Sequence, residues 1–177
     1  MTQPLRYTPA ARLLHWLTVL LVAAIAVLGI WITKFEPAEE ALKFRLYNIH
    51  ESLGVIVFAM ILVRLVLRRA NPPPPLPAGT TPAVRHVSHA VHLGLYAVLL
   101  VQPVIGFIGT NAWGFPLALF GVVPLPAPVG PDQALGGLMT TIHFGLAVTL
   151  LSLLAAHIGG VIVHTFILKD GLLKRML

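Results

Sequence analysis

Eight histidines occur in a 177-residue chain that is 57% hydrophobic and only 10% charged, and an ionisable side chain inside an apolar span is costly enough to mark function by default. His143 and His157 lie 14 residues apart. On an α-helix that spacing rotates the second by only about 40° from the first and raises it by about 21 Å, so both face one side at two depths. His15 stands early in the first apolar run and His50 early in the second. If successive runs cross a bilayer in alternate directions, His15 shares a level with His157, and His50 shares the other with His143. Two imidazoles at one level suit the axial positions of a haem iron that is six-coordinate and low-spin, fit for passing electrons rather than for binding oxygen at the metal. The expected sites are an inner haem b on His15 and His157 and an outer haem b on His50 and His143. Two other readings stay open. The histidines could bond across helices or line a proton path, as in a haem-free transporter. They could also hold zinc, which imidazole suits, although structural zinc usually takes four protein ligands.

The remaining histidines carry weaker signals. His86, His89 and His92 recur every three residues at the start of the third apolar run, where they are either solvated or in contact with haem propionates together with Arg12, Arg64 and Arg68. His164 follows His157 by seven residues, about two turns further along nearly the same face. It is placed either to donate a hydrogen bond to a quinone carbonyl or to be solvated at a helix end. Glu51 adjoins His50 and reads as a solvated carboxylate or as a group tuning the outer site. Gly54, Gly145, Gly159 and Gly160 lie near the proposed ligands, as room for a flat macrocycle or as helix-packing positions.

Residues at such depths need spans of about 20 mostly apolar residues to carry them, and runs near 13–33, 46–67, 90–110 and 135–168 supply four. The expected fold is all-α: an antiparallel four-transmembrane-helix bundle, one domain over residues 1–177, with cofactor sites between facing helices. The first run exceeds the 7–15 residues of a signal-peptide core and opens on His15 and Trp16, so it is expected to be retained. The run from Asn71 to Pro77 holds five prolines, cannot continue a helix and reads as a stiff extended connector. Pro103 falls inside the third span and is expected to kink it. Residues 111–134 form a Gly- and Pro-rich apolar loop with Trp113, Phe115 and Phe120, expected to lie on the membrane surface or to cap the bundle. The fourth run, about 50 Å long as a helix, exceeds the ~30 Å hydrocarbon core and should protrude.

Lys and Arg placement sets orientation, because short cytoplasmic loops keep the positive charge. Arg6, Arg12, Arg64, Arg68, Arg69, Arg85, Lys169, Lys174 and Arg175 fall on one side, against Lys34, Lys43 and Arg45 on the other. Both termini are therefore expected in the cytoplasm, the His15 level is the inner one, and the net charge of +6 reflects topology in a lipid bilayer rather than nucleic-acid binding. Absence of cysteine excludes disulfides, cysteine-ligated iron–sulfur clusters and covalent haem attachment within this polypeptide. Any haem is held non-covalently.

Tyr7 with Leu14-His15-Trp16, Ile49-His50 with Gly54, Arg64 within the run to Arg68, His89 and His92 before Tyr96, Pro103-Val104-Ile105-Gly106, and His143 with His157 and His164 together resemble the bacterial cytochrome b561 family of small diheme membrane cytochromes. The likeness covers nearly the whole chain, and the order and spacing of these motifs carry it. The resemblance implies haem ligands at the same four histidines and residence in the bacterial inner membrane. It also implies activity of the superoxide oxidase type: an electron taken from periplasmic superoxide and passed through two haems to ubiquinone, with the quinone near the inner haem and His164. A cytochrome b subunit exchanging electrons with a partner dehydrogenase or hydrogenase is the competing expectation.

Overall fold

The structure is a computed structural model that describes residues 6–35, 37–77 and 79–177. Among them are four helices long and apolar enough to cross a membrane: α1 (Pro9–Phe35), α2 (Glu40–Ala70), α3 (Pro82–Ala112) and α4 (Gln133–Ile162). Their faces carry large exposed side chains such as Leu20, Val27, Leu93 and Phe144, an apolar exterior suited to lipid. Every backbone group inside such a span must be bonded within its own helix. Successive helices run antiparallel, α1 on α2, α2 on α3, and α3 most extensively on α4, so both chain ends meet at one end of the bundle.

α1, α2 and α3 run past the apolar stretches that announce them, while α4 gives way to π-helical winding after Ile162, before its apolar run ends near 168. α3 starts at Pro82, well before its apolar run near 90–110, because proline needs no partner for its missing N–H at the first turn and the Thr81 hydroxyl accepts a hydrogen bond from the Val84 amide at 3.4 Å. α2 continues through Arg68 and Arg69, whose long side chains reach water from the membrane edge. Hydropathy marks only the part of a helix inside the bilayer. Pro103 lies within α3, which stays helical on both sides of it. Glu36, in the turn after α1, lies outside the described residues.

The interior divides into layers. Val22, Val57 and Ile61, the last with 0% exposure, meet at the centre with Tyr96, Leu99, Leu150 and Leu154 around them. Val22 lies seven residues past His15 and Val57 seven past His50, so this apolar layer separates the two histidine levels. Inside a bilayer this layer is held by van der Waals packing between the helices rather than by removal of side chains from water.

The long loop between α3 and α4 caps one end. Its short strands Ala118–Leu119 and Val123–Pro124 pair antiparallel. Asn48 donates its amide to the Ala118 carbonyl at 2.7 Å, and the Phe120 amide donates to the fully buried Ser52 hydroxyl at 2.8 Å. The loop thus closes over α2, leaving Val122 at its tip 78% exposed. Trp113 lies against Gly136, where a Cβ would come within 2.9 Å of the indole, and Asp132 caps α4 by accepting from the Leu135 amide at 3.0 Å. At the other end, α4 widens to π-helical winding over Val163–Ile167, and the chain folds back under the bundle. The Tyr7 amide donates to the Arg175 carbonyl at 3.1 Å, Trp16 donates to the Met176 carbonyl at 3.0 Å, and Arg12 donates to the Leu177 carbonyl oxygen.

Candidate functional site

The bundle brings the four ligand candidates into two facing pairs. At the end holding the termini, the rings of His15 on α1 and His157 on α4 have centroids 6.4 Å apart at 64°. At the capped end, His50 on α2 and His143 on α4 stand 6.3 Å apart, also at 64°. With metal–nitrogen bonds of about 2.0–2.1 Å and each ring centre about 1.1 Å behind its nitrogen, two imidazoles on opposite sides of one metal ion have centroids about 6.2–6.4 Å apart. Both pairs would therefore leave room for one metal ion between their rings. Among the described residues no group of three or more His, Cys, Asp or Glu side chains gathers as a metal site, so a zinc site with four protein ligands has no candidate there.

A 14-residue interval recurs in every helix. It joins His15 to Gly29 on α1, His50 to Arg64 on α2, His92 to Gly106 on α3, and His143 to His157 on α4. Each helix thus offers one residue to each level, about 21 Å apart. At the capped end the helices without a ligand supply glycine. A Cβ on Gly29 would lie 3.1 Å from His50 Cε1, and one on Gly106 3.1 Å from His143 Cε1. The two rings lie directly against neighbouring backbones in notches that any side chain would fill. Gln102 fixes the backbone here by donating its amide to the His143 carbonyl at 3.0 Å. Of the glycines named from sequence, Gly54 meets only the Pro103 side chain, and Gly145, Gly159 and Gly160 face open space. None of them abuts a ligand candidate. Glu51 is half-buried beside His50.

At the termini end the same two positions carry polar groups. Arg64 Nη2 lies 3.3 Å from His15 Nδ1, and the His92 ring centroid is 5.2 Å from that of His157. His92 donates Nδ1–H to the Ser88 carbonyl at 2.7 Å, while the Arg64 and Arg68 guanidiniums sit 5.6 and 5.9 Å from the Tyr96 ring centre. Arg68, His89, His92 and Tyr96, with Leu65 and Leu93, line a recess of about 180 Å³. His86 is exposed, bonded to the Pro82 carbonyl at 2.7 Å. Arg64 pairs with none of the described carboxylates. If a metal takes Nε2 of His15, Nδ1 carries the proton and meets the Arg64 N–H donor to donor, so this half-buried cation calls for an anion, since unpaired charge inside a bundle is costly. A cofactor bearing carboxylates beside its metal fits this level, and haem with its propionates is such a group.

His164 lies beyond the pairs, 9% exposed. Its Nδ1 is 2.5 Å from Asp170 Oδ2, and Asp170 Oδ1 accepts from the Leu172 amide at 3.0 Å. Lys169 takes left-handed backbone, φ 50°, which ends the helix and turns Asp170 back toward the ring. Sequence reasoning found His164 but not Asp170, because the contact depends on that reversal. Gly29 also went unread, although the shared 14-residue interval is visible in the sequence.

The sequence pattern described as prokaryotic cytochrome b561 matches residues 6–177. Among curated relatives, cytochrome b561 homolog 2 of Escherichia coli K12 is 31% identical over 175 residues, 98% of this chain and 92% of the relative. Cytochrome b561 homolog 1 of the same organism is 28% identical over 180 residues, 97% of each chain. The probable superoxide oxidase CybB of Yersinia pestis is 26% identical over 164 residues, 93% of this chain and 91% of the relative.

Proposed function

This chain belongs to the prokaryotic cytochrome b561 family, membrane electron-transfer proteins for which b-type haem is the implied cofactor, and from that premise we propose that it carries electrons between two haem b groups from superoxide to ubiquinone. The observation that carries the proposal is the pair of matched histidine couples, 6.4 and 6.3 Å between ring centroids. His15 and His157 would hold the inner haem and His50 and His143 the outer one. Lys and Arg placement orients both termini to the cytoplasm, making the capped end periplasmic in the bacterial inner membrane.

Each superoxide that yields one electron leaves as oxygen, and ubiquinone takes two electrons and two protons to become the quinol, so two superoxides serve one quinone. When bound, two haems supply one-electron carriers that hold the pair on its way inward. The chain's own groups favour that direction. Arg64 beside His15 stabilises the more electron-rich state of the inner site, as charge and hydrogen bonds around a haem set its potential. At the outer end Lys34, Lys43 and Arg45 stand near Glu39 and Glu40, so charge is close to balanced and no electrostatic funnel is invoked. His164, next in line beyond His157, is the proposed hydrogen-bond donor to the quinone.

The test is reduction of the purified holoprotein by a superoxide generator under air, followed by addition of a soluble ubiquinone analogue. Haem reduction that dismutase abolishes, and prompt reoxidation by the quinone, are expected. Reduction indifferent to dismutase would remove superoxide as donor and favour a cytochrome b subunit fed by a partner dehydrogenase. A preparation that stays colourless after haem reconstitution would favour a haem-free histidine-lined transporter.

A further inference from the structure

The C-terminal turn brings a carboxylate to the buried His164. Residues 168–177 form a floor under the termini end, tied to Tyr7 just before α1 and to Trp16 on α1 and to the proline-rich connector through the Arg175 guanidinium, which donates to the Pro75 carbonyl at 2.5 Å. Within that floor Asp170 makes three contacts that fix its orientation. Its amide donates to the His164 carbonyl at 3.3 Å, Oδ1 accepts from Leu172, and Oδ2 faces His164 Nδ1 at 2.5 Å. With Nδ1 engaged by a carboxylate, the imidazole is held in one orientation and one tautomer, and Nε2 is the ring nitrogen left for a ligand.

We propose that Asp170 is the positioning residue of a proton-donating couple, holding His164 with Nδ1–H on its carboxylate so that Nε2–H serves the quinone oxygen. This rests on the quinone reading above. The balance is one quinone, two electrons delivered singly by the bound one-electron carriers, and two protons. The ring enters the step as an imidazolium, protonated at both nitrogens, and its Nε2–H bond breaks as the O–H bond to the facing carbonyl oxygen forms, leaving the neutral Nδ1–H tautomer. The ring keeps Nδ1–H on Asp170 and is reprotonated at Nε2 from cytoplasmic water, while the second quinone oxygen takes its proton from water. Asp170 stays ionised throughout. Burial alone would raise its carboxyl, but the hydrogen bonds from His164 and the Leu172 amide, with the charges of His164 and Arg175, hold it below the ordinary range. His164 and Arg175 are the charged or titratable groups facing it.

The holoprotein is compared as wild type, Asp170→Asn, Asp170→Glu and His164→Ala. Asp170→Asn should leave both haem spectra intact and slow reoxidation by the ubiquinone analogue by about tenfold or more, as loss of a charge-assisted hydrogen bond implies. Asp170→Glu should restore most of the rate. Histidine ¹⁵N spectra of the reduced, diamagnetic protein give an independent readout: the resonance missing from His164→Ala should report a proton on Nδ1 in wild type and shift in Asp170→Asn. Asp170→Asn with wild-type kinetics and an unshifted His164 resonance would overturn the couple. A Nδ1 without a proton in wild type would overturn it even if the asparagine variant failed to fold. Wild-type and His164→Ala proteins reoxidised alike would instead overturn the quinone assignment of His164.

Discussion

The two histidine pairs match in separation and angle, yet their surroundings are opposite in kind. At the capped end the two helices that contribute no candidate ligand contribute Gly29 and Gly106, and the rings are seated by shape. At the termini end the equivalent positions hold Arg64 and His92, and the site is set by charge. A ligand set alone therefore does not define a redox centre. The 14-residue interval fixes where the levels lie, and the residues of the other two helices decide how each level behaves. One level should be sensitive to volume and the other to charge.

Removing a ligand gives the largest expected effect. His15→Ala and His157→Ala should each abolish the inner haem and spare the outer, and His50→Ala and His143→Ala the reverse, read as haem content and reduced-minus-oxidised spectra. Loss of the outer haem from the His157 variant would break the pairing. Next comes volume. Gly29→Val or Gly106→Val should drive a side chain into the His50 or His143 ring and weaken outer haem retention by about 1–3 kcal/mol, the usual penalty for overpacking, with the inner spectrum unchanged. Equal damage at both levels would erase the distinction.

Charge is tested by Arg64→Gln. One unit charge about 6–8 Å away is worth about 2–3 kcal/mol at an effective dielectric of about 20, so the inner haem's midpoint potential should fall by about 90–130 mV in a redox titration while the outer potential holds. A fall in the outer potential alone would place the charge at the wrong level. The smallest effect concerns the floor. Because the Asp170 carboxyl is held below its ordinary range despite burial, its contribution is complete above the unfolded value of about 3.9 and fades only as pH falls through the lower folded value. Protection factors of residues 168–177, exchange rates normalised to the intrinsic rate at each pH, should thus stay constant from neutrality to about pH 4 and fall below it; a fall already at pH 6 would contradict this.

Much of this was legible in sequence because a bilayer simplifies the problem. Four apolar runs become four antiparallel spans, and helical rise turns residue number into depth. His15, His50, His143 and His157 could be sorted into levels by that arithmetic, and the structure brings the same four together in those pairs. Helix ends were harder to read, since hydropathy fades where water begins while α2 and α3 continue into it. Gly29, and the role of Gly106 within its motif, were hidden for another reason: a missing side chain has no chemistry of its own, and its role exists only relative to a ring on another helix. Asp170 depended on π-helical winding and a left-handed residue at Lys169, a local reversal with no strong local signature. The cap was anticipated in place, but its strands and its hold on Ser52 were not, because two-residue strands lack a readable alternation.

The central claim is that this chain carries two separate haem irons, each between two histidines. The most direct measurement is the ratio of haem b to protein in the purified, haem-replete cytochrome, combined with low-temperature electron paramagnetic resonance of the oxidised form. Two haems per chain, both low-spin, are predicted. One haem per chain, or a high-spin signal from a five-coordinate iron in the wild-type protein, would contradict it.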